Sequence, residues 1–183
     1  MTHRLISSRR WTRRFIALFT LLTLTACDVT NDDRPDPNVA ASSLAAYNFS
    51  PNGIHEFYVD GTWGSGVGLG SGGGSVCCVM IPRKWLEGLQ VTIEWRRGDC
   101  SKGVDAEGKS NCRHDPEVPT KILKKTVPIE PYDEPDETQV FFLPHDEIRV
   151  YVTKYGAHSP HHPAGLGGAR PLTDDEFNEF LQR

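Results

Sequence analysis

The stretch LQVTIEWR, residues 89–96, alternates apolar and polar side chains over its whole length. Leu89, Val91, Ile93 and Trp95 take one set of alternate positions, and polar residues take the other. Because successive side chains of a β-strand point to opposite faces, this pattern predicts an antiparallel strand with one buried and one solvated face. The strand is the clearest indication of fold class in the chain.

Similar short segments lie on both sides of this strand, separated by Gly and Pro residues. They are residues 54–59, 76–81, 120–127, 139–143 and 148–153. Six short strands with such punctuation are typical of a small all-β domain. We therefore expect a mainly β fold, a small antiparallel β-sandwich or open barrel, within a single domain of residues 44–183.

The C-terminus carries a helix signal instead. Thr173 and Glu176 have the spacing of a capping box, and Leu172 can pack onto Phe177 across the helix start. Apolar residues at positions 177, 180 and 181 would form one buried face. The spacing predicts a helix over residues 174–181 with a structural role.

The N-terminal 26 residues have the layout of a secretory signal, with five arginines and no acids before a short apolar run. The run, residues 15–24, is shorter than the roughly 20 residues needed to cross a bilayer. It leads into Leu24-Thr25-Ala26-Cys27, which resembles the lipobox of bacterial lipoproteins. We expect cleavage before Cys27 and acylation of its thiol; an ordinary signal peptide with a chance cysteine is the alternative. Asp28 slightly favours the inner over the outer membrane.

Loss of residues 1–26 would leave 15 basic and 24 acidic residues, a formal charge of −9. This balance argues against a nucleic-acid partner, which needs a basic surface to displace counterions from phosphates. It is compatible with a basic protein partner, whereas an acidic surface that only aids solubility is the simpler alternative. Residues 27–43, rich in acids, Pro and small side chains, predict a flexible tether between the lipid and the domain.

Residues 61–74, the glycine stretch, contain eight glycines in fourteen positions. A literal GxGxxG occurs there, but an apolar β-like run follows it where dinucleotide binding requires a helix. Two interpretations stay open: a flexible loop between strands, or a backbone surface that binds a partner through Gly68, Gly70, Gly72 and Gly73.

Four cysteines besides Cys27 lie in the predicted domain: Cys77, Cys78, Cys100 and Cys112. An exported protein usually oxidises such thiols, and four allow three connectivities. We favour a Cys100–Cys112 disulfide, because it would close a polar loop. Neighbouring residues of a strand face opposite ways, so Cys77 and Cys78 could bond to different partners, whereas a bond between them would require a strained turn. The apolar neighbours of Cys77 and Cys78 predict that both side chains are buried. A redox role is disfavoured, because the two cysteines lack the Cys-x-x-Cys spacing.

His158, His161 and His162 lie in a proline-containing segment that predicts an exposed loop; whether it binds a transition metal stays open. No nucleophile, cofactor or metal-ligand motif occurs elsewhere in the sequence. We expect neither an enzyme nor a cofactor.

The acidic run of residues 131–137 carries two prolines and successive carboxylates. These features predict an exposed, turn-rich loop rather than a tuned acid–base pair. Asp133, Glu134 and Asp136 are candidate contacts to a protein partner.

Several of these motifs together resemble the domain of unknown function 3304 family. The shared elements run from residue 44 to residue 152: Tyr47-Asn48, Ile54, Phe57, Val59, Gly61, the glycine run into Cys77-Cys78-Val79, Ile81-Pro82-x-x-Trp85-x-x-Gly88-Leu89-x-Val91, and Phe142-Leu143-Pro144. The resemblance implies a short proteobacterial lipoprotein. Some members are similar in genomic setting to immunity proteins encoded beside type VI secretion phospholipase effectors.

The residues and the resemblance lead to three hypotheses. The first is a non-catalytic lipoprotein, held at the periplasmic side of a membrane by its lipid, that binds a protein partner and acts as an immunity protein. The second is an envelope-maintenance lipoprotein that binds cell-wall or assembly components. The third is a thiol-redox or metal-binding protein.

Overall fold

A computed structural model describes residues 36–98 and 120–182. The predicted signal segment, Cys27, Asp28, Cys100 and Cys112 lie outside these residues. Within the described ranges, no helix is both long enough and apolar enough to cross a membrane. The same residues form eight strands, one short 3-10 turn and one α-helix.

The strands form two four-stranded sheets. The first sheet has the order β4 (Val76–Pro82), β1 (Val39–Asn48), β7 (Thr138–Phe142) and β8 (Ile148–Val152). The second sheet has the order β3 (Thr62–Trp63), β2 (Ile54–Val59), β5 (Gln90–Gly98) and β6 (Thr120–Pro128). All neighbours are antiparallel except β1 and β7, which run parallel. The predicted β-sandwich with one C-terminal helix, α1 (Asp174–Leu181), is confirmed.

The main core lies between the two sheets. Val91, Ile93 and Trp95 of β5 are at most 5 % exposed, while the residues between them are half-buried, so the predicted alternation is confirmed. They pack in one cluster with Phe57 of β2 and Phe142 of β7, which comes from the opposite sheet. Burial of these alternate faces removes apolar area from water and stabilises the sandwich.

The first sheet is also buried on its other face. Every residue of β7 is buried, and Tyr151 of β8 is 6 % exposed although its position in the alternation predicts a solvated side chain. The covering segment, residues 153–182, lies on this face and forms a second apolar cluster. Its members are Tyr47, Phe49, Phe141, Leu143, Tyr151, Ala157, Ala164, Leu172, Phe177 and Phe180.

Helix α1 anchors the end of the covering segment. The Thr173 hydroxyl accepts a hydrogen bond from the Glu176 backbone N–H at 3.3 Å, and the Glu176 carboxylate accepts one from the Thr173 N–H at 2.9 Å. This is the predicted capping box, and the predicted bounds of the helix are confirmed. Leu172 and Phe177 both lie in the second cluster, as expected.

Strand β1 corrects one predicted boundary. The prediction that the tether reaches residue 43 is wrong, because residues 39–43 lie in β1 and pair with β4. The sequence VAASSLAAYN is rich in Ala and Ser, which have weak β-propensity, and so gives little strand signal. Its place between β4 and β7 makes it a strand nonetheless.

Candidate partner-binding surface

The glycine stretch is hydrogen-bonded to both sheets. Val67 exchanges two backbone hydrogen bonds of 2.8 and 2.9 Å with Ile54 of β2. Further along, the Ser71 carbonyl accepts from the Asn48 N–H at 2.9 Å, and the Gly73 N–H donates to the Ala46 carbonyl at 3.1 Å. The stretch therefore crosses from an edge of the second sheet to β1 of the first, and it is not a free flexible loop.

Close packing explains several of these glycines. A Cβ at position 64 would overlap the Phe57 ring, and one at position 72 would overlap Tyr47. Gly70 and Gly73 adopt φ values of 59° and 82°, a region that favours glycine. Of the four candidate contact residues, Gly68 and Gly70 are half-buried and Gly72 and Gly73 are exposed. Residues 71–74 form the continuous exposed run of the stretch.

The acidic loop, residues 131–137, lies beside β1. The Tyr132 hydroxyl donates a 2.6 Å hydrogen bond to the Pro82 carbonyl, and the Ser42 hydroxyl donates to the Asp136 carbonyl. Neither contact uses the carboxylates of Asp133 and Glu134, and both of these residues are exposed. The predicted exposure of this loop is confirmed at these two residues and at Asp136.

The two predicted contact regions meet. The Ser75 hydroxyl, directly after the glycine stretch, donates a 2.6 Å hydrogen bond to Oε1 of Glu137 at the end of the acidic loop. The other oxygen of Glu137 accepts from the Gln139 side chain at 3.0 Å. The alternatives for partner contact are thus adjacent parts of one surface.

A groove of about 520 Å³ runs between the acidic loop and the covering segment. The acidic groove is lined on one side by Asp133, Glu134 and Asp136, and on the other by Lys154, Tyr155 and His161. The Lys154 ammonium lies 5.4 Å from the centre of the Tyr155 ring, and this ring lies 5.5 Å from that of His161. Three carboxylates face one lysine, so the groove is acidic overall.

Asp133 and Glu134 form no ion pair with the described part of the chain. Six other carboxylates among the described residues lie 2.5–3.4 Å from a Lys or Arg nitrogen. These are Glu56, Glu94, Glu130, Asp146, Glu147 and Glu176. The acidic groove therefore presents charge that the domain itself leaves unbalanced.

His162 lies between His161 and Pro163, which line the groove. The prediction that all three histidines lie in an exposed loop is wrong for His162. It is 3 % exposed and stacks on Phe141 with ring centres 4.9 Å apart. Its Nδ1 accepts from the Ala164 N–H at 3.0 Å, so its Nε2–H donates to the Gln139 side-chain oxygen at 3.1 Å. Burial lowers the pKa of His162 to about 4, and the neutral imidazole is a structural group.

His158 and His161 are exposed, and the described residues contain no group of three or more His, Cys, Asp or Glu side chains arranged to hold a metal ion. The histidines that lie close in sequence thus point in different directions. The segment has two exposed imidazoles and one that belongs to the core.

The cysteines depart from the predicted pattern. The sulfurs of Cys77 and Cys78 lie within disulfide distance of one another, across a cis peptide bond, although adjacent strand residues are expected to face apart. The predicted burial is wrong too, since Cys77 is exposed and Cys78 half-buried on β4, an edge strand. The pair follows Ser75 and lies at the margin of the candidate surface.

A family model described as "Protein of unknown function (DUF3304)" matches residues 47–150, more than half of the chain. The chain belongs to the DUF3304 family. The predicted resemblance is confirmed. No curated protein and no solved structure matches the chain.

The DUF3304 match covers the glycine stretch, the cysteine pair and the acidic loop. The other wall of the acidic groove, formed by Lys154, Tyr155 and His161, lies beyond it in the covering segment. Sequence reasoning did not identify these three residues as part of a site, because no motif connects them to residues 133–136. Only the tertiary structure brings the two walls together.

Proposed function

We propose that this DUF3304 protein is a membrane-anchored lipoprotein of the periplasmic side that binds a basic protein partner without catalysing a reaction. The acidic groove is the contact site, and the adjacent exposed glycines allow the partner backbone to approach closely. The observation that carries the proposal is the pair of unbalanced carboxylates, Asp133 and Glu134, in a groove with an aromatic wall.

Electrostatics supports this choice of partner. Opposite charges raise the rate of encounter, and a carboxylate that has no internal partner can form a charge-assisted hydrogen bond without first breaking another. Tyr155 adds a ring face on which a partner cation can lie. A segment rich in Lys or Arg is therefore the complementary ligand.

The family resemblance suggests the identity of the partner. We propose an immunity function, in which the protein neutralises a type VI secretion phospholipase effector that acts at the membrane. A lipid on Cys27 would hold the inhibitor where such a toxin acts, and the β-sandwich would present the groove as a pre-formed site.

Co-expression with the product of the adjacent gene, followed by pull-down and a growth-protection assay, tests the proposal. The double variant Asp133→Asn/Glu134→Gln should weaken the complex at least about tenfold and make its affinity less dependent on salt. A matched control, Glu87→Gln/Asp175→Asn, changes the net charge equally at two exposed carboxylates outside the groove. Equal weakening by both double variants, or the absence of any complex, would contradict the proposal.

Cys27→Ser tests the anchor separately. Without an acylated thiol, the protein should move from the membrane fraction to the soluble fraction and should no longer incorporate radiolabelled palmitate. Retention of the variant in the membrane fraction would show that another segment holds it there.

A further inference from the structure

A second cavity of about 430 Å³ lies on the border of the covering segment, at the N-terminus of α1. It lies beside the end of β5 and the β7–β8 connection, and none of its lining residues belongs to the acidic groove. Its size falls within the range of small-molecule sites, roughly 300–1,000 Å³. Pro51, Pro144 and Leu172 provide apolar surface, and the other walls are polar.

The backbone at this cavity holds two residues in a conformation that L-amino acids rarely adopt. His145 and Asp146 have φ values of 58° and 61°, in the left-handed region. Such residues are strained, persist only where surrounding contacts hold them, and cluster at functional sites. Here Arg97 holds Asp146 by two hydrogen bonds of 2.5 and 2.6 Å.

This arrangement places His145 at the cavity wall. Its Nε2 lies 3.0 Å from the Asp174 carboxylate at the start of α1, and its ring lies 5.5 Å from that of Phe177. Both side chains remain largely exposed, with 66 % and 79 % of their surface accessible. The pair is therefore oriented but accessible to a ligand.

Asn52 provides an incomplete polar group at the same cavity. The residue is only 9 % exposed, and its side-chain Oδ1 is buried without a hydrogen-bond partner. A buried acceptor left unpaired destabilises the folded protein. An Asn side chain can accept and donate, so this residue can bind a group that does both.

The charges around the cavity are balanced internally. Arg97 pairs with Asp146, and Lys121 lies 3.7 Å from the same carboxylate. An anion would meet the carboxylates of Asp146 and Asp174, and a cation would meet the Arg97 guanidinium. A neutral ligand with many hydroxyl groups avoids both repulsions and can satisfy donors and acceptors together.

We propose that this cavity binds a saccharide. The hydroxyl groups of a sugar would bond to His145, Asp174 and Asn52, and the apolar face of the ring would lie on Pro51, Pro144 and Leu172. The site is separate from the acidic groove, so a glycan and a protein partner can be bound at the same time.

Saturation-transfer difference NMR on the full chain in detergent micelles tests this proposal, with tri-N-acetylglucosamine and maltotriose as probes. At least one probe should give saturable transfer, with a dissociation constant of about 10 mM or tighter. His145→Asn removes the imidazole but tolerates the left-handed backbone, and Asp174→Asn removes the carboxylate charge. Each should weaken binding about tenfold while the melting temperature stays within about 2 °C of wild type.

Glu87→Gln, at an exposed carboxylate outside both sites, is the matched control and should bind the saccharide as the wild type does. Transfer that is absent for both probes, or that is unchanged in both His145→Asn and Asp174→Asn, would overturn the saccharide site. The proposal for a protein partner would be unaffected, because its test depends on Asp133 and Glu134.

Discussion

The outer faces of the two sheets are used differently. The first sheet carries the covering segment, so aromatic residues such as Phe141 and Tyr151 are buried there. The outer face of the second sheet is accessible, and its side chains pair with one another: Glu56 with Arg96, Glu94 with Lys124, and Thr92 with Thr126. Among the residues that the structure describes, only the first sheet has a second hydrophobic layer.

Both proposed sites lie where the covering segment borders the sandwich. Lys154, Tyr155 and His161 of this segment complete the acidic groove, and Asp174 completes the cavity beside His145. Where a segment lies against a sheet, the border between them is concave and brings together residues that are far apart in sequence. The covered face therefore provides the binding sites as well as additional stability.

Phe141→Ala, on the covered face of the first sheet, should have the largest effect on the free energy of unfolding. The side chain is completely buried and lies about 5 Å from the rings of Tyr47, Phe49, Tyr151 and His162. We expect its loss to lower the free energy of unfolding by about 3–5 kcal/mol.

Ile122→Ala on the second sheet is the control, because that side chain is 69 % exposed. It should change the free energy of unfolding by at most about 0.5 kcal/mol. Urea titration followed by tryptophan fluorescence measures both variants. Similar losses would mean that the covering segment contributes little.

Acidification should have the second-largest effect, because it destabilises the packing around His162 on the covered face of the first sheet. The pKa of His162 is about 4 in the folded protein and about 6.5 when unfolded, so the unfolded chain binds more protons between these values. The contribution of neutral His162 to the free energy of unfolding is complete above about pH 6.5. It is lost as the pH falls towards 4, a decrease of about 3 kcal/mol in total.

Comparison of wild type with His162→Gln across pH 4–7 isolates this term, because the other titrating groups are shared. The slope of stability against pH should be steeper in the wild type. Titration of the imidazole by NMR provides a direct check, and a midpoint near the ordinary value of about 6.5 would contradict the buried, neutral state.

Thr173→Ala should have a smaller effect, confined to the start of α1. Removing the hydroxyl leaves the Glu176 N–H without its capping acceptor and should cost about 1 kcal/mol. Thr126→Ala removes an exposed hydroxyl contact from the second sheet and should cost less than about 0.5 kcal/mol. Thermal unfolding by circular dichroism distinguishes them, and equal shifts in melting temperature would be inconsistent with a capping role.

Local patterns predicted much of the fold. LQVTIEWR and the Thr173/Glu176 spacing each depend on neighbours in sequence, and both were found as predicted. Strand β1 was missed because its Ala- and Ser-rich sequence has little intrinsic preference for a strand. Alternation along β8 predicts a solvated Tyr151, but the residue is buried, because alternation cannot show that a distant segment covers the sheet.

The candidate site was predicted in its parts but not in its assembly. The exposed carboxylates of residues 133–136 follow from prolines and successive like charges, which disfavour burial. The groove cannot be predicted from the sequence, because the path of the covering segment places Lys154, Tyr155 and His161 in it. The buried state of His162 follows only from the packing of Phe141 and Gln139 around it.

By itself the sequence determined the class of fold, the C-terminal helix and the family, because these depend on local periodicity and on motifs along one stretch of chain. Tertiary structure alone decided that the glycine stretch joins the two sheets, that Cys77 and Cys78 lie together, and that both proposed sites border the covering segment. Those features depend on contacts between residues far apart in sequence, and the periodicity of a single segment carries no information about its distant neighbours.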